Sequence, residues 1–411
     1  MFEQFFSLFF TPPFLKAWDL VWHFTPLWLP IILIGAFLQI WIKYVRTKYI
    51  IEQGSTILEL KLPKEINKSP SAMEIIIQAL AQPSVGTYLD VYLKGRIRPW
   101  FSLELVSIEG QVRFFIWTHK KFKNIIESQI YSQFPSVEIY ESEDYALKVP
   151  FDPSVFNYWG MQLKLNKADI YPIKTYVDYG LNENPKEEFK IDPITPMVEY
   201  LGALGQGEQA WIQILVQAHR EETLKDVRLQ KKPDWKGQAK KEIEKIISES
   251  PVKPEEGKSV GLSNLTEMQK ETINAIQRSL SKTAFDTMIR GIYLAEKDKF
   301  NSVNIAGLTG SFKQYSSGNL NGFKPGFTTG YDYPWQDFKG RRANEGKRKL
   351  LDAYKRRSFF HPPYKNFEGK PFVLTTEELA TIYHFPGGVS ATPTFTRITS
   401  KKGEPPANLP I

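Results

Sequence analysis

The pattern of hydrophobic positions separates an apolar N-terminal segment from a longer region of short strand-like and helix-like patterns. Residues 24–42 form an uncharged run, FTPLWLPIILIGAFLQIWI, of about 19 residues, which as a helix matches the ~30 Å hydrocarbon core of a bilayer. Trp28 and Trp41 lie near its ends, where interfacial aromatic side chains are common. We therefore predict a membrane-spanning helix over residues 24–45, and the alternative is a buried helix of a soluble domain.

The charges that flank this helix predict its orientation. Lys43, Arg46 and Lys48 follow the apolar run at once, whereas the preceding residues carry little charge. Because Lys and Arg are enriched on the cytoplasmic side, we expect a single-pass protein of the cell membrane with its bulk in the cytoplasm. Residues 1–23 are aromatic and interrupted by Pro12 and Pro13, which favours an interfacial segment over a second span.

Residues 55–147 alternate between strand and helix patterns in the order β-α-β-β-α-β. The runs STILELKL, WFSLELVSI, QVRFFIWT and VEIY (137–140) read as strands, and AMEIIIQALA and the segment 121–134 have helical spacing. Glu109 and Gly110 separate two of the strands as a short hairpin connection. This order is that of the ferredoxin-like plan, in which two helices cover one face of an antiparallel sheet.

A second set of patterns over residues 150–318 predicts another ferredoxin-like unit, so the expected fold class is α+β. Within it, residues 221–261 are rich in Lys, Glu and Pro and are predicted to form an exposed charged insertion. Residues 319–411 contain Gly-rich and Pro-rich stretches, a basic segment and a Pro-flanked end. We predict an extended C-terminal tail there.

Composition narrows the class of protein. Of the 411 residues 42% are hydrophobic and 14% aromatic, which predicts a folded chain. Cysteine is absent, so disulfides, thiolate metal sites and cysteine nucleophiles are excluded. The net charge of +8 favours anionic surfaces only if the positive charge is concentrated.

Motifs for catalysis are missing from the sequence. The segment GRRANEGKR at 340–348 has five residues between its glycines and Arg after the Lys, whereas a P-loop needs four and then Ser or Thr. The five histidines are scattered singly, and the acidic run Glu141, Glu143 and Asp144 is typical of a solvated strand end. We therefore expect no enzyme activity and no catalytic, cofactor or metal site. An enzyme of unrecognised type is a third hypothesis.

A basic segment at 339–357 is the main candidate site outside the membrane helix. Aromatic residues are interleaved with its cations, a combination that can hold phosphates while rings stack on bases. A solvated helix face and a docking arm for an acidic protein are the alternatives. The candidate residues are Arg341, Arg342, Lys347, Arg348, Lys349, Lys355, Arg356 and Arg357.

Two stretches resemble a known family. FSLELVSIEGQVRFFIWTHKKFKNIIESQIYSQFPSVEIYESEDY at 101–145 and LTTEELATIYHFPGGVSATPTFTRITSKKGEPPANLP at 374–410 are similar to the N-terminal, non-ATPase region of bacterial HerA-like and conjugative type IV secretion DNA-translocating ATPases. In that family a membrane segment and an α+β region of unknown function precede the motor. No Walker A or Walker B motif occurs here, so the resemblance implies no ATPase activity.

The resemblance implies a membrane-anchored accessory subunit that positions a separate HerA-like ATPase in a DNA-translocation machine related to type IV secretion or conjugation. The expected partners are membrane lipid, that ATPase, DNA and further copies of the chain. The segment EELATIYHFP resembles the connector that enters the motor, so it implies motor contacts for Glu377, Glu378, Leu379, His384 and Pro386. The alternative is a membrane-tethered nucleic-acid-binding module that acts through the basic segment.

Overall fold

The residues described in the computed structural model form two compact units, one comprising the chain up to residue 52 with 86–96 and the other comprising 53–85 and the chain from 97 onward. We call them the anchor unit and the body. The structure describes residues 18–19, 21–63, 66, 68–182, 191–220, 235–248, 265–331, 333, 335–361 and 369–387. Most of the predicted interfacial segment 1–23 and all of 388–411 lie outside these residues.

The anchor unit is built on helix α1, Thr25–Gln53. It is the one helix in the described part of the chain that is long and apolar enough to span a membrane, and its apolar stretch is not buried in the protein. Exposure of an apolar surface of this extent is unfavourable in water and favourable in the hydrocarbon core of a bilayer.

The next elements follow the predicted order. In chain order they are β1 (Ser55–Lys61), α2 (Ser71–Ala79), α3 (Tyr88–Tyr92, in the anchor unit), β2 (Trp100–Ile108), β3 (Gln111–His119), α4 (Lys123–Gln133) and β4 (Glu138–Ser142). The predicted hairpin between β2 and β3 is present, and Glu109 and Gly110 both have positive φ, 54° and 81°. Two such residues give the turn a twist that matches paired strands.

The rest of the body repeats the strand and helix alternation. Its elements are β5 (Phe156–Leu165), α5 (Thr195–Gly202), β6 (Glu208–Ala218), α6 (Trp235–Ser248), α7 (Glu267–Leu280), β7 (Ala284–Glu296), α8 (Val303–Gly310), β8 (Phe323–Thr328), α9 (Arg341–Lys355), β9 (Phe372–Thr375) and α10 (Thr376–Ile382).

The strands form a single antiparallel sheet in the order β4-β1-β3-β2-β6-β7-β5-β8, with β9 paired to one end of β7. The first half reads 4-1-3-2, and the second half reads the same order from its other edge. The two halves meet through the antiparallel pair β2 and β6, whose register runs from Trp100 and Gln217 to Ile108 and Gln209. The fold class is therefore α+β with an antiparallel sheet, as predicted.

Alternate residues of each central strand point to opposite faces of the sheet. One face carries apolar side chains such as Leu105, Phe114 and Ile212, which pack in the main core together with residues of α2, α4, α5 and α10. The other face carries polar residues, among them Glu104, Gln213 and Arg290, and these are also buried. That second face is where α9 packs, since its Leu350 lies against Gly160 of β5.

The prediction of an extended tail after residue 319 is wrong for the part of that region described. β8 is an edge strand within the Gly-rich stretch, β9 pairs with β7, and α10 lies wholly in the core. The Gly and Pro residues of this region suggested a loop, but strand pairing and burial of apolar side chains override local propensity.

Residues 235–248 of the charged insertion pack against other residues of the body. Trp235 and Ala239 of α6 are buried in a small cluster with Ile276 and Val373, and Tyr171 donates a hydrogen bond to Glu242 at 2.9 Å. Prediction of a wholly exposed insertion is therefore wrong for residues 235–248. The remainder of 221–261 lies outside the described residues.

Candidate functional site

Helix α9 contains most of the predicted basic residues, and its N-terminal end is fixed by a carboxylate. The backbone N–H groups of Arg342 and Ala343 donate to the two oxygens of Asp337 at 2.8 and 2.9 Å. A carboxylate at this position satisfies free helix donors and interacts favourably with the helix dipole. Lys339 and Gly340 just before the helix both have positive φ, so the chain turns sharply there.

The C-terminal end of α9 is closed by a pair of backbone hydrogen bonds. Arg357 N–H donates to Tyr354 O at 3.0 Å and Ser358 N–H donates to Ala353 O at 3.1 Å, which is the Schellman pattern. The residue in the left-handed position is Arg357, with φ of 49°, where glycine is usual. A side chain costs about 1–2 kcal/mol in this conformation, so other contacts must favour arginine.

Those contacts are two carboxylates. Arg357 Nε and Nη2 donate to the oxygens of Glu104 at 3.0 and 3.1 Å, and the guanidinium also binds Asp144. Burial alone would raise the pKa of Glu104, but attraction to Arg357 and its hydrogen bonds outweigh this and lower that pKa. Burial opposes the charge of Arg357 as well, yet Glu104 raises its pKa well above the usual value. The pair is therefore ionised inside the protein.

Further polar groups complete this cluster. Arg290 of β7 donates to the carbonyl groups of Ala353 at 3.1 Å and Ser358 at 2.7 Å, at the negative end of the helix dipole. Tyr145 donates to Glu104 at 2.8 Å and shares a hydrogen bond of 2.7 Å with Tyr354. Because these groups bind one another and line neither of the two cavities described below, the cluster is best explained as the attachment of α9 to the sheet.

The predicted basic patch is consequently divided. Arg357 is 1% exposed and is removed from the surface patch, since its charge is engaged by Glu104 and Asp144. Lys355 is half-buried and donates to Val149 O at 2.6 Å. Lys347 is also half-buried, and the exposed members of the patch are Arg341, Arg342, Arg348, Lys349 and Arg356.

Four exposed rings precede the helix, at Tyr331, Tyr333, Trp335 and Phe338. Trp335 and Phe338 expose 77% and 78% of their surface, and the rings of Tyr333 and Trp335 stack at 4.6 Å and 12°. Exposed aromatic side chains that cluster in this way are typical of a surface that binds a ligand, a partner or a membrane. Together with Lys339, Arg341 and Arg342, these four residues are named here the aromatic-basic surface.

Two cations of this surface each lie against one of its rings. The Arg342 guanidinium lies 5.7 Å from the centre of the Tyr331 ring and donates to Gln336 O at 3.0 Å. Lys339 lies 5.8 Å from the ring of Phe338. Rings that are already paired with cations and with each other are partly preorganised for a planar, anionic ligand.

A cavity of about 440 Å³ adjoins the aromatic-basic surface. Its lining includes the side chains of Tyr331, Tyr333 and Lys347, together with Trp159 and Phe300. Burial lowers the pKa of Lys347, and Asp337 opposes this effect. The second described cavity, about 270 Å³, lies between the ends of β1 and β3 and includes Glu59, Lys61 and Arg113. The first cavity is lined by several aromatic rings beside Lys347, whereas Phe114 is the one aromatic residue in the lining of the second.

The predicted motor-docking residues are in the interior of the body. Thr375 and Glu378 form a capping box at the start of α10, and Glu378 also accepts from Ile173 N–H at 3.0 Å. Burial raises the pKa of Glu378 to about 7, although hydrogen bonds from Thr375 and Ile173 oppose this. Glu377 accepts from Arg278 at 2.9 Å.

The remaining members of that set are equally inaccessible. Leu379 is fully buried, Pro386 is buried, and His384 is hydrogen-bonded to Asp192 at 2.8 Å. Direct contact of these side chains with a motor is therefore excluded in this conformation. Motor contacts were predicted for them from the resemblance of EELATIYHFP to a connector, and such contacts require exposed side chains.

The predicted anchor residues all lie on α1. Trp28 is exposed, and Trp41 Nε1 donates to the carbonyl of Tyr92 at 2.8 Å. Lys43 and Lys48 are exposed and Arg46 is half-buried, with Lys48 3.8 Å from Glu52. Within the described residues no group of three or more His, Asp or Glu side chains is placed to hold a metal ion.

A family model matches residues 49–397, which is most of the chain. The chain belongs to the family described as Domain of unknown function (DUF8128). None of the curated proteins compared with it matches. The DUF8128 match runs from the end of α1 through α10, so it covers the whole sheet and the aromatic-basic surface and leaves most of the apolar helix outside.

Two features of this DUF8128 chain were missed by reasoning from sequence. Glu104 lies in the predicted strand WFSLELVSI and was not singled out, although a carboxylate that is buried in a strand needs a partner. The rings of the segment GYDYPWQDF were assigned to loop material. Their spacing before a basic helix was the available signal, but exposure of rings cannot be read from one sequence.

Proposed function

We propose that this DUF8128 chain is a membrane-anchored accessory subunit of a DNA-translocation machine related to type IV secretion or conjugation. Its α1 helix holds the body at the cytoplasmic face of the cell membrane, where a separate HerA-like ATPase supplies the motor. The aromatic-basic surface contacts the DNA. The resemblance of residues 101–145 and 374–410 to the non-ATPase region of such motors supports the machine, and the structure contributes the argument for the surface.

The observation that carries the membrane attachment is the exposed apolar stretch of α1, followed at once by Lys43, Arg46 and Lys48. The described residues of the chain do not bury that stretch. Insertion into lipid removes it from water, and the cations after Ile42 favour the cytoplasmic side for the body.

The strand order supports a more detailed description of the body as two ferredoxin-like units. Each half of the sheet has the order 4-1-3-2 that this plan requires, and each has its helices between the first and second and between the third and fourth strands. The second unit then has five additional elements, which are α6, α7, α9, β9 and α10. Such a duplicated body offers a broad, rigid platform for a partner.

Attachment to the motor is tested by recovering the tagged full-length chain from native membranes under mild detergent. We expect a HerA-like ATPase to be recovered with it. A chain that integrates into the membrane yet brings no such ATPase in repeated purifications contradicts the accessory-subunit proposal. A matched purification of a variant with Ile34→Lys and Leu38→Lys, which should fail to insert, controls for contaminating ATPases.

A second candidate function is a nucleic-acid-binding module that acts without a motor. The specific observation is the combination of four exposed rings with Lys339, Arg341 and Arg342 in a short stretch of chain. Rings stack on unpaired bases while cations hold the backbone phosphates, which is the usual chemistry of single-strand binding.

Binding of a fluorescent single-stranded oligonucleotide to the full-length chain in lipid nanodiscs distinguishes these ideas from a solvated helix face. We expect salt-sensitive binding that is weakened by Lys339→Glu with Arg341→Glu. The control is Lys240→Glu with Lys241→Glu on exposed positions of α6, which changes the net charge equally. Equal weakening by both pairs would indicate net charge alone and contradict a local site.

A further inference from the structure

A short helix of the anchor unit has an exposed apolar face that the membrane helix alone does not explain. α3 comprises Tyr88–Tyr92, and Leu89 and Leu93 are 66% and 59% exposed. They are four positions apart, so they lie on one face. Tyr88 is exposed beside them.

Contacts within the anchor unit fix the level of α3 along α1. The carbonyl of Tyr92 accepts from Trp41 Nε1 at 2.8 Å, next to the end of the uncharged run at Ile42. Gly95, with φ of 67°, lies against the backbone of Val45, so closely that a Cβ there would be 2.3 Å from the Val45 carbonyl. Val45 is one turn, or ~6 Å, beyond Trp41. Between Gly95 and Tyr92 the chain therefore runs back towards the uncharged part of α1.

Local contacts also show that α3 is a formed helix rather than a passing loop. Thr87 and Asp90 make a capping box, in which Asp90 N–H donates to Thr87 and Thr87 N–H donates to Asp90 at 3.0 Å. Asp90 pairs with Lys94 at 2.8 Å. Leu89 and Leu93 are therefore exposed on a formed and capped helix, and Lys94 and Arg96 are exposed at its end.

We propose that α3 is a second membrane-contacting element, which lies in the interface beside α1 with Leu89 and Leu93 in the boundary between headgroups and acyl chains. The occupant of this face is lipid, because α3 is held at the level where α1 leaves its apolar run. Apolar residues with flanking cations are the composition of interfacial helices. Contact of α3 with lipid adds to the interfacial residues of α1 in fixing the rotation of the anchor unit about the α1 axis. The inference rests on the membrane attachment proposed above.

Single cysteines carrying an environment-sensitive fluorophore test it, since the chain has no native cysteine. The full-length chain is placed in vesicles of phosphatidylcholine and phosphatidylglycerol, with the label at Leu89→Cys, at Ile34→Cys within α1, or at Val303→Cys, an exposed site of the body. Quenching is measured with aqueous iodide and with lipids spin-labelled near the headgroup or near the chain end.

We expect the Leu89 label to be quenched most by lipids labelled near the headgroup. Iodide should quench it much less than it quenches the Val303 label. The Ile34 label should respond to the chain-end lipids, and the Val303 label to iodide alone. If the Ile34 label responds to lipid while the Leu89 label behaves like that at Val303, the inference about α3 is wrong and the anchor stands. If the Ile34 label also responds to iodide alone, the anchor proposal fails and the inference fails with it.

Discussion

The two ends of helix α9 use the same residue types for opposite purposes. At its C-terminal end Arg357 is buried and binds Glu104 and Asp144, and the result is a fixed attachment to the sheet. At its N-terminal end Arg341 and Arg342 lie on the surface among exposed rings. A cluster of cations in a sequence therefore identifies a candidate surface only after each cation has been checked for a partner within the protein.

The largest effect is expected from breaking the buried end. Arg357→Met leaves the Glu104 carboxylate without its cation, and loss of one partner of a buried pair costs about 3–5 kcal/mol. We expect the free energy of unfolding, measured by urea denaturation, to fall by that amount. The matched control is Arg356→Met, because Arg356 is exposed and pairs with Asp352 on the surface, and its loss should cost less than about 1 kcal/mol.

The alternative explanation for such a loss is removal of packing by the long side chain. A second variant separates the two, since Glu104→Gln combined with Arg357→Met removes both charges and should recover part of the lost stability. Equal destabilisation by Arg357→Met and Arg356→Met would contradict the distinction between the two ends.

Among the described residues, the buried carboxylate of Glu378 has no arginine partner of the kind that Glu104 has. The two should therefore give opposite pH dependences of the free energy of unfolding. Glu378 has its pKa raised to about 7 by burial, so its contribution to stability is fully present below pH 4.5 and is lost as the pH rises through 7. Relative to Glu378→Gln, the free energy of unfolding of the wild-type chain should fall by roughly 3 kcal/mol between pH 4.5 and pH 8.

The sign is opposite for Glu104, whose pKa is lowered in the folded protein. Its contribution is present above the ordinary pKa of 4.5 and is lost as the pH falls below it. Parallel pH profiles of the Glu104→Gln and Glu378→Gln variants would show that arginine does not set the difference between these two sites.

At the exposed end the expected effect is on binding rather than stability. Trp335→Ala removes a ring that is available for stacking, and loss of one stacked base costs about 1–3 kcal/mol of binding free energy. Oligonucleotide titrations by fluorescence anisotropy measure it. Tyr131→Ala is the control, because Tyr131 is an exposed ring of α4 away from this segment of chain. Identical affinities for both variants would exclude a stacking role for Trp335.

The smallest expected effect is on salt dependence. In the proposed complex Arg341 contacts one phosphate, so Arg341→Ala should decrease the slope of log affinity against log salt concentration by about 1. The free energy of unfolding should stay within about 0.5 kcal/mol of wild type, because Arg341 is exposed. An unchanged slope with unchanged stability would assign Arg341 to a solvated helix face.

The sequence was sufficient for the parts of the fold that depend on local periodicity. The apolar run of α1, the β2 and β3 hairpin with Glu109 and Gly110, and the alternation of strands and helices all have a signal within about 10–20 residues. Strand pairing across the two halves has no such signal. The joining of β2 to β6 depends on contacts between residues more than a hundred positions apart.

The candidate site was only partly predictable for the same reason. The cations of α9 were visible as composition, but burial of Arg357 depends on Glu104 and Asp144, which lie far from it in sequence. Glu377, Glu378 and His384 were assigned motor contacts from the family resemblance, and their segment is too short for its periodicity to show burial. Their partners, Arg278, Ile173 and Asp192, are contributed by other elements of the body.

The central proposal is that the exposed end of α9 binds DNA while α1 anchors the protein in the membrane. The most direct measurement is photo-cross-linking in native cells with a photoreactive amino acid at Trp335 and, as a control, at Tyr131. We predict that the chain with the probe at Trp335 is recovered from membranes covalently joined to DNA, and that the chain with the probe at Tyr131 is not. Recovery of equal amounts of DNA at both positions, or of protein and lipid adducts alone at Trp335, would contradict the claim.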